Sequence, residues 1–84
     1  MGRPFNAPKG LEPCPKCGNR HRFVAVSQRG GEDFCEVWIR CGACGHEPDW
    51  QERREDTWGD LSLGMIQCLA QDWNGWAQDQ KAAA

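Results

Sequence analysis

The sequence predicts a small α+β fold: a zinc ribbon, two Cys-x-x-Cys knuckles joined by a β-hairpin, with a C-terminal helix packed on the hairpin. Three observations predict it. Cys14-Pro15-Lys16-Cys17-Gly18 and Cys41-Gly42-Ala43-Cys44-Gly45 repeat one pattern, two thiols on a tight turn with a glycine directly after. Between them lie two runs with strand character separated by adjacent glycines. After them comes one stretch whose apolar residues recur at helical intervals.

The knuckles come first because the length demands them. Eighty-four residues with ten glycines, five prolines and a mean hydropathy of −0.76 cannot bury much core. Chains of this size draw on disulfides or a metal for stability. The chain opens Met-Gly-Arg-Pro-Phe-Asn with no apolar signal segment, and nothing in it approaches an apolar membrane span. The expected location is therefore the cytoplasm, where thiols stay reduced and paired Cys-x-x-Cys turns bind metal. Cys14, Cys17, Cys41 and Cys44 are the predicted ligands of one Zn²⁺. Four sulfurs fill the tetrahedron and leave no open position for water or substrate, so the ion is structural. Its formal charge of −2 calls for donors, with Lys16, Arg20 and Arg40 expected to screen it alongside backbone N–H groups.

Taken in order, residues 1–10 read as a flexible arm, with Phe5 as the single large apolar residue after the initiator. A single domain is expected over residues 11–79. Arg22–Gln28 has β-branched strand content, Arg29–Asp33 is a turn, and Phe34–Arg40 alternates. That alternation sets Cys35, Val37 and Ile39 on one face and Trp38 on the other, between Glu36 and Arg40. Residues 46–59 are polar and acidic and read as a connecting loop. The helix is expected from Asp60, as N-cap, to about Gln78, with Leu61, Met65, Cys68, Leu69, Trp73 and Trp76 as its buried stripe. Asn74-Gly75 is a candidate end to it, and residues 80–84 read as a disordered tail.

Cys35 and Cys68 read as small buried residues, with a second metal site shared with His21 or His46 as the alternative. His46 is redundant beside four thiolates, and His21 reads as a solvated loop residue. Trp38 has three readings. With Arg22, Phe23 and Arg40 it offers a stacking, cationic surface for single-stranded nucleic acid. It is also a candidate anchor for a protein partner, as are Trp50 and Trp58. The third reading has the acidic loop folding over it and bringing Trp50 or Trp58. Charge divides unevenly along the chain. Residues 1–45 hold seven bases and four acids, net +3, and residues 46–84 hold three bases and eight acids, net −5. No nucleophile–base pair or phosphate loop stands in the sequence, so a binding protein rather than an enzyme is expected.

One resemblance sharpens this. Leu11-Glu12-Pro13-Cys14-Pro15-Lys16-Cys17-Gly18, a hairpin, Cys41-Gly42-Ala43-Cys44-Gly45, then a helix carrying Ala70, Trp73 and Asn74, resembles the Lar-type restriction alleviation proteins. These are small zinc-ribbon proteins of phages and prophages with Leu-x-Pro-Cys-Pro-x-Cys-Gly, a later Cys-x-x-Cys-Gly, and Ala-x-x-x-Trp-Asn near the end. The match covers most of residues 11–76. It departs at Gly75, where relatives tend to carry a base, and in the shorter step from Ala70 to Trp73. The acidic stretch from Glu47 to Asp60 is also longer than usual. The resemblance implies a protein of the bacterial host cytoplasm that modulates a restriction–modification enzyme and protects unmodified phage DNA. Its partner would be a host protein such as a subunit of that enzyme, bound by a monomer or weak dimer. A nucleic-acid-binding ribbon of the transcription or replication type, with Arg20, Arg22, Arg29, Arg40 and Trp38 as contacts, is the alternative.

Overall fold

The computed structural model describes residues 2–83, apart from the side chains at positions 50 and 83. Strands β1 (Gly2–Asn6), β2 (Arg22–Arg29), β3 (Cys35–Cys41) and β4 (Arg54–Asp56) form one antiparallel sheet in the order β1-β2-β3-β4. A single helix, α1 (Leu63–Ala83), lies on one face of it. The predicted hairpin is β2–β3, in register from Phe23 opposite Cys41 to Arg29 opposite Cys35.

The expected arm is an edge strand. Gly2 to Asn6 pair with Val26 to Arg22 of β2. Two facts reconcile this with Pro4. Ala7 donates its N–H to His21 O at 3.3 Å, which extends the ladder and fixes its phase. Alternate residues of an antiparallel strand turn their backbone groups to opposite sides, so Arg3, Phe5 and Ala7 face β2 while Pro4 faces outward. A proline is tolerated there because no sheet bond is lost. Phe5 then sets its ring 6.3 Å from that of Phe23. Met1 lies outside the described residues.

The helix also differs at both ends. Its cap is Ser62 rather than Asp60. Met65 N–H donates to Ser62 Oγ at 3.3 Å, and Ile66 N–H to Ser62 O at 2.9 Å. The C-terminal end runs past Asn74-Gly75 and through most of the expected tail to Ala83, with Ala84 outside the described residues. Asn74-Gly75 does not cap because Gly75 does not take the left-handed backbone that a C-cap needs, and the Asn74 side chain bonds Glu12 N–H and Gly10 O instead.

The core sits between helix and sheet. Phe23, Ala25, Val37, Ile39 and Cys41 meet Ile66, Leu69, Trp73, Trp76 and Ala77. Trp73 lies edge-on to Phe23 at 5.4 Å and 5.1 Å from Trp76. The stripe is rotated from the expected one, so Cys68 is exposed and Ile66 takes its place inside. Cys35, at the end of the hairpin beside Gly59, is half-buried. Gly59 has φ +64°, and a side chain there would run into Ser27 and Cys35. Beyond β3 the connector holds a 3-10 turn (Trp50–Glu52) and then β4, which Arg54 ties to the helix. Its guanidinium donates from Nε to Asp72 Oδ2 at 2.7 Å and from Nη2 to Oδ1 at 3.1 Å.

Candidate metal centre

The two knuckles are built alike, atom for atom. In the first, Cys14 N–H donates to Asn19 O and Gly18 N–H to Cys14 O, both at 2.9 Å. In the second, Cys41 N–H donates to His46 O at 2.9 Å and Gly45 N–H to Cys41 O at 3.0 Å. Gly18 and Gly45 both stand at φ +78°, the left-handed conformation that closes each turn and that a side chain resists. In each knuckle the first cysteine is buried and the second exposed.

This repetition brings the four sulfurs of Cys14, Cys17, Cys41 and Cys44 within 4.8 Å of one another. Cys14 Sγ lies 3.7 Å from Cys44 Sγ and Cys17 Sγ 3.5 Å from Cys41 Sγ. A disulfide would need about 2 Å. A tetrahedron with metal–sulfur bonds of about 2.3 Å has edges of about 3.8 Å, which is the spacing found. No other group of metal-ligating side chains occurs among the described residues. The donor set can hold one metal ion and is compatible with a single structural zinc.

The first thiols of the two knuckles differ in their electrostatics. At Cys14 burial dominates and pushes the thiol up to about 12, against the backbone N–H groups of Cys17 and Lys16. Cys41 is also penalised by burial, yet its thiol is lowered to about 6 because donors surround the sulfur. Cys44 N–H, Ala43 N–H and Asn19 Nδ2 each donate to it at 3.4 Å. The backbone N–H groups expected to serve these sulfurs do so, and the side-chain amide of Asn19 joins them.

Asn19 is a functional residue that sequence reading passed over. Its Oδ1 accepts the N–H groups of His21 and Arg22 at 3.2 Å, and its amide also donates to Arg22 O. It thereby joins the first knuckle, the start of β2 and a sulfur of the second knuckle. The signal available was positional: Asn19 follows Cys14 by the same five residues as His46 follows Cys41.

The second omission is how the first knuckle is held. Trp73 Nε1–H donates to Glu12 O at 2.8 Å, and Asn74 Oδ1 accepts Glu12 N–H at 2.7 Å. Lys81 and Gln78 donate to the Glu12 carboxylate, Lys81 at 3.2 Å, and together they lower its pKa. Two residues before Cys14, the chain is thus gripped by successive turns of α1.

The remaining candidates scatter. Trp38 is covered, so it offers no exposed stacking platform. Its indole N–H donates to Glu47 Oε2 at 2.7 Å, and the Arg53 guanidinium lies 3.9 Å above its ring. Arg53 is held in turn by Pro48 O, Glu36 and Glu47. The acidic connector does fold over Trp38, but with Arg53 as its lid. Trp58 is 85% exposed and far along the chain from the knuckles, in the turn after β4. The side chain of Trp50 is outside the described residues. Arg22 is exposed and Arg40 half-buried, on the same sheet face one step apart across β2 and β3. His46 packs its ring 4.9 Å from Trp76, and His21 is exposed, so neither joins a second metal site with Cys35 or Cys68. No helix among the described residues is long and apolar enough to cross a membrane. No family model, curated protein or solved structure matches the chain.

Proposed function

We propose that this chain is a non-enzymatic, zinc-stabilised binding protein of the restriction-alleviation type, acting in a bacterial cytoplasm on a component of a restriction–modification enzyme. The convergence of four sulfurs at tetrahedral spacing carries the zinc part of this reading. Thiolates in all four positions leave a bound Zn²⁺ no vacancy at which to activate water. The ion's chemistry is then cross-linking, and this chain's residues support it in two ways. Asn19 and the Ala43 and Cys44 amides offset charge at Cys41. Trp73 and Asn74 fix the approach to Cys14.

The restriction part rests on the resemblance of Leu11–Gly18, Cys41–Gly45 and Trp73-Asn74 to that family. The contacts supply a physical reason for the last pair, since the indole N–H and the amide together hold both backbone groups of Glu12. The test is plating of unmodified phage on a restricting host with and without the chain. Raised plating with wild type, and none with Cys41→Ala, is expected. Unchanged plating with a zinc-loaded, well-expressed protein rejects the assignment. Native mass spectrometry of the purified chain should show one zinc per molecule.

A further inference from the structure

The fold sorts charge in a way the sequence totals conceal. Every base after residue 45 is in an ion pair: Arg53 with Glu36 and Glu47, Arg54 with Asp72, and Lys81 with Glu12. Arg29 folds back at the hairpin tip onto the carbonyls of Gly31 and Glu32, and Arg3 donates to Leu61 O. Lys9, Lys16, Arg20, Arg22 and Arg40 are left. Their side chains make no hydrogen bond or ion pair among the described residues, and all but the half-buried Arg40 are exposed. Arg20 acts only through its field, as one of the influences lowering Glu12.

Arg22 and Arg40 share the sheet face away from the helix, Lys16 and Arg20 flank the first knuckle, and Lys9 stands in the loop that leads to it. Of the acids of the same half of the chain, Glu32 and Asp33 sit at the hairpin tip, roughly 20 Å away by the rise of a strand, and Glu36, about 13 Å from Arg40 along β3, is paired with Arg53. The carboxylates at the knuckle end are engaged, Glu12 by Lys81 and Gln78 and Glu47 by Trp38 and Arg53, and a zinc-loaded four-thiolate centre of formal charge −2 still leaves the five bases a local excess of +3. Arg22 also edges a groove of about 410 Å³ between Pro4, Phe5, Asn6, Val24 and Gly42, in which Phe23 is buried and the half-buried Phe5 ring is tilted against it.

We infer that the knuckle end is a docking surface for the phosphate backbone of duplex nucleic acid, a property independent of the restriction reading. Two observations select this occupant. A protein interface is anchored by large apolar side chains, and the exposed ones, Trp58 and Leu63, lie in the turn after β4 and the first turn of α1. Single-strand binding needs aromatic platforms, and Trp38 is sealed under Arg53. Unpaired cations alone suit phosphates, which position a duplex without reading its sequence.

The test is fluorescence anisotropy of the zinc-loaded full chain with a labelled random-sequence DNA duplex, titrated from about 50 to 200 mM salt. Five contacts set an upper slope of about −4.5 in log affinity against log salt. The double variant Arg22→Gln/Arg40→Gln should flatten that slope by about 2, whereas Arg29→Gln and Arg54→Gln should leave it unchanged. The inference is overturned by absence of binding at the lowest salt, by wild-type binding in the double variant, or by charge-matched polyglutamate binding as tightly as the duplex. Zinc content and circular dichroism of each variant establish that it is folded. The phage-plating result can fail while this binding holds, and the reverse, so the two proposals are separately decided.

Discussion

The two knuckles share one sequence pattern and one set of backbone bonds, yet different parts of the molecule support them. The second is a continuation of the sheet: β3 runs into Cys41, and Gly42 N–H bonds Arg22 O at 2.9 Å across the hairpin. The first follows no strand. It hangs from the helix through Glu12, held by Trp73 and Asn74. A metal between them therefore joins two substructures, helix and sheet, rather than closing one loop. The thiols differ as well: each first cysteine accepts from two amides of its own turn, but burial prevails at Cys14, whereas Cys41 accepts from Asn19 in addition.

If the metal is the joint, either half of it should matter equally. Cys14→Ala and Cys41→Ala are each expected to abolish metal binding and cooperative thermal unfolding, read by metal content and the near-ultraviolet dichroism of the tryptophans. A metal-loaded, cooperatively folded Cys14→Ala protein would show the sheet-borne knuckle to be sufficient and dissolve the comparison. Next in size is Trp73→Ala. Loss of the buried ring and its bond to Glu12 should cost about 3–5 kcal/mol in denaturant unfolding. Asn19→Ala tests the other side, where support is electrostatic rather than packed. Metal affinity measured by chelator competition should fall about 10–100-fold, as is usual when a group holding a ligand is lost.

The smallest effect belongs to Lys81→Met at the solvent edge of the helix grip. Lys81 holds the Glu12 carboxyl below its ordinary value, so the pair's support is whole at neutral pH and fades as pH falls through that lowered value. In the variant the carboxyl should titrate at higher pH, measured by NMR of the Glu12 side chain. The unfolding midpoint should barely move, because the contact is exposed and screened.

The parts legible in the sequence were those that local chemistry decides. Cys-x-x-Cys-Gly spacing gave the sulfur cluster, and alternation about Val37 and Ile39 gave β3 and its buried face. Partner-dependent parts were not legible. Gly2–Asn6 has the composition of an arm and becomes a strand only because β2 offers an edge and Phe23 a ring. Asn74-Gly75 has the look of a helix end, but Gly75 keeps out of the left-handed conformation while Asn74 is tied to Gly10 and Glu12 and Trp76 and Ala77 are buried against the sheet, and the helix continues. Trp38 lies on the predicted face, but nothing local says that Arg53, fifteen residues on in the chain, would cover it. Cys68 misled because the buried stripe centres on Leu69, Trp73, Trp76 and Ala77, which brings Ile66 inward and leaves Cys68 outside.

Pro4 has a bearing on how the molecule behaves among its own copies. A sheet with an open side invites a neighbour to add on laterally, the first step toward fibrils. Here the middle of that side offers a carbonyl but no amide hydrogen, so an incoming chain would leave one of its own acceptors unanswered. The opposite side is only three residues long. Lateral growth is thus disfavoured at the first strand by a missing donor and at the last by its shortness.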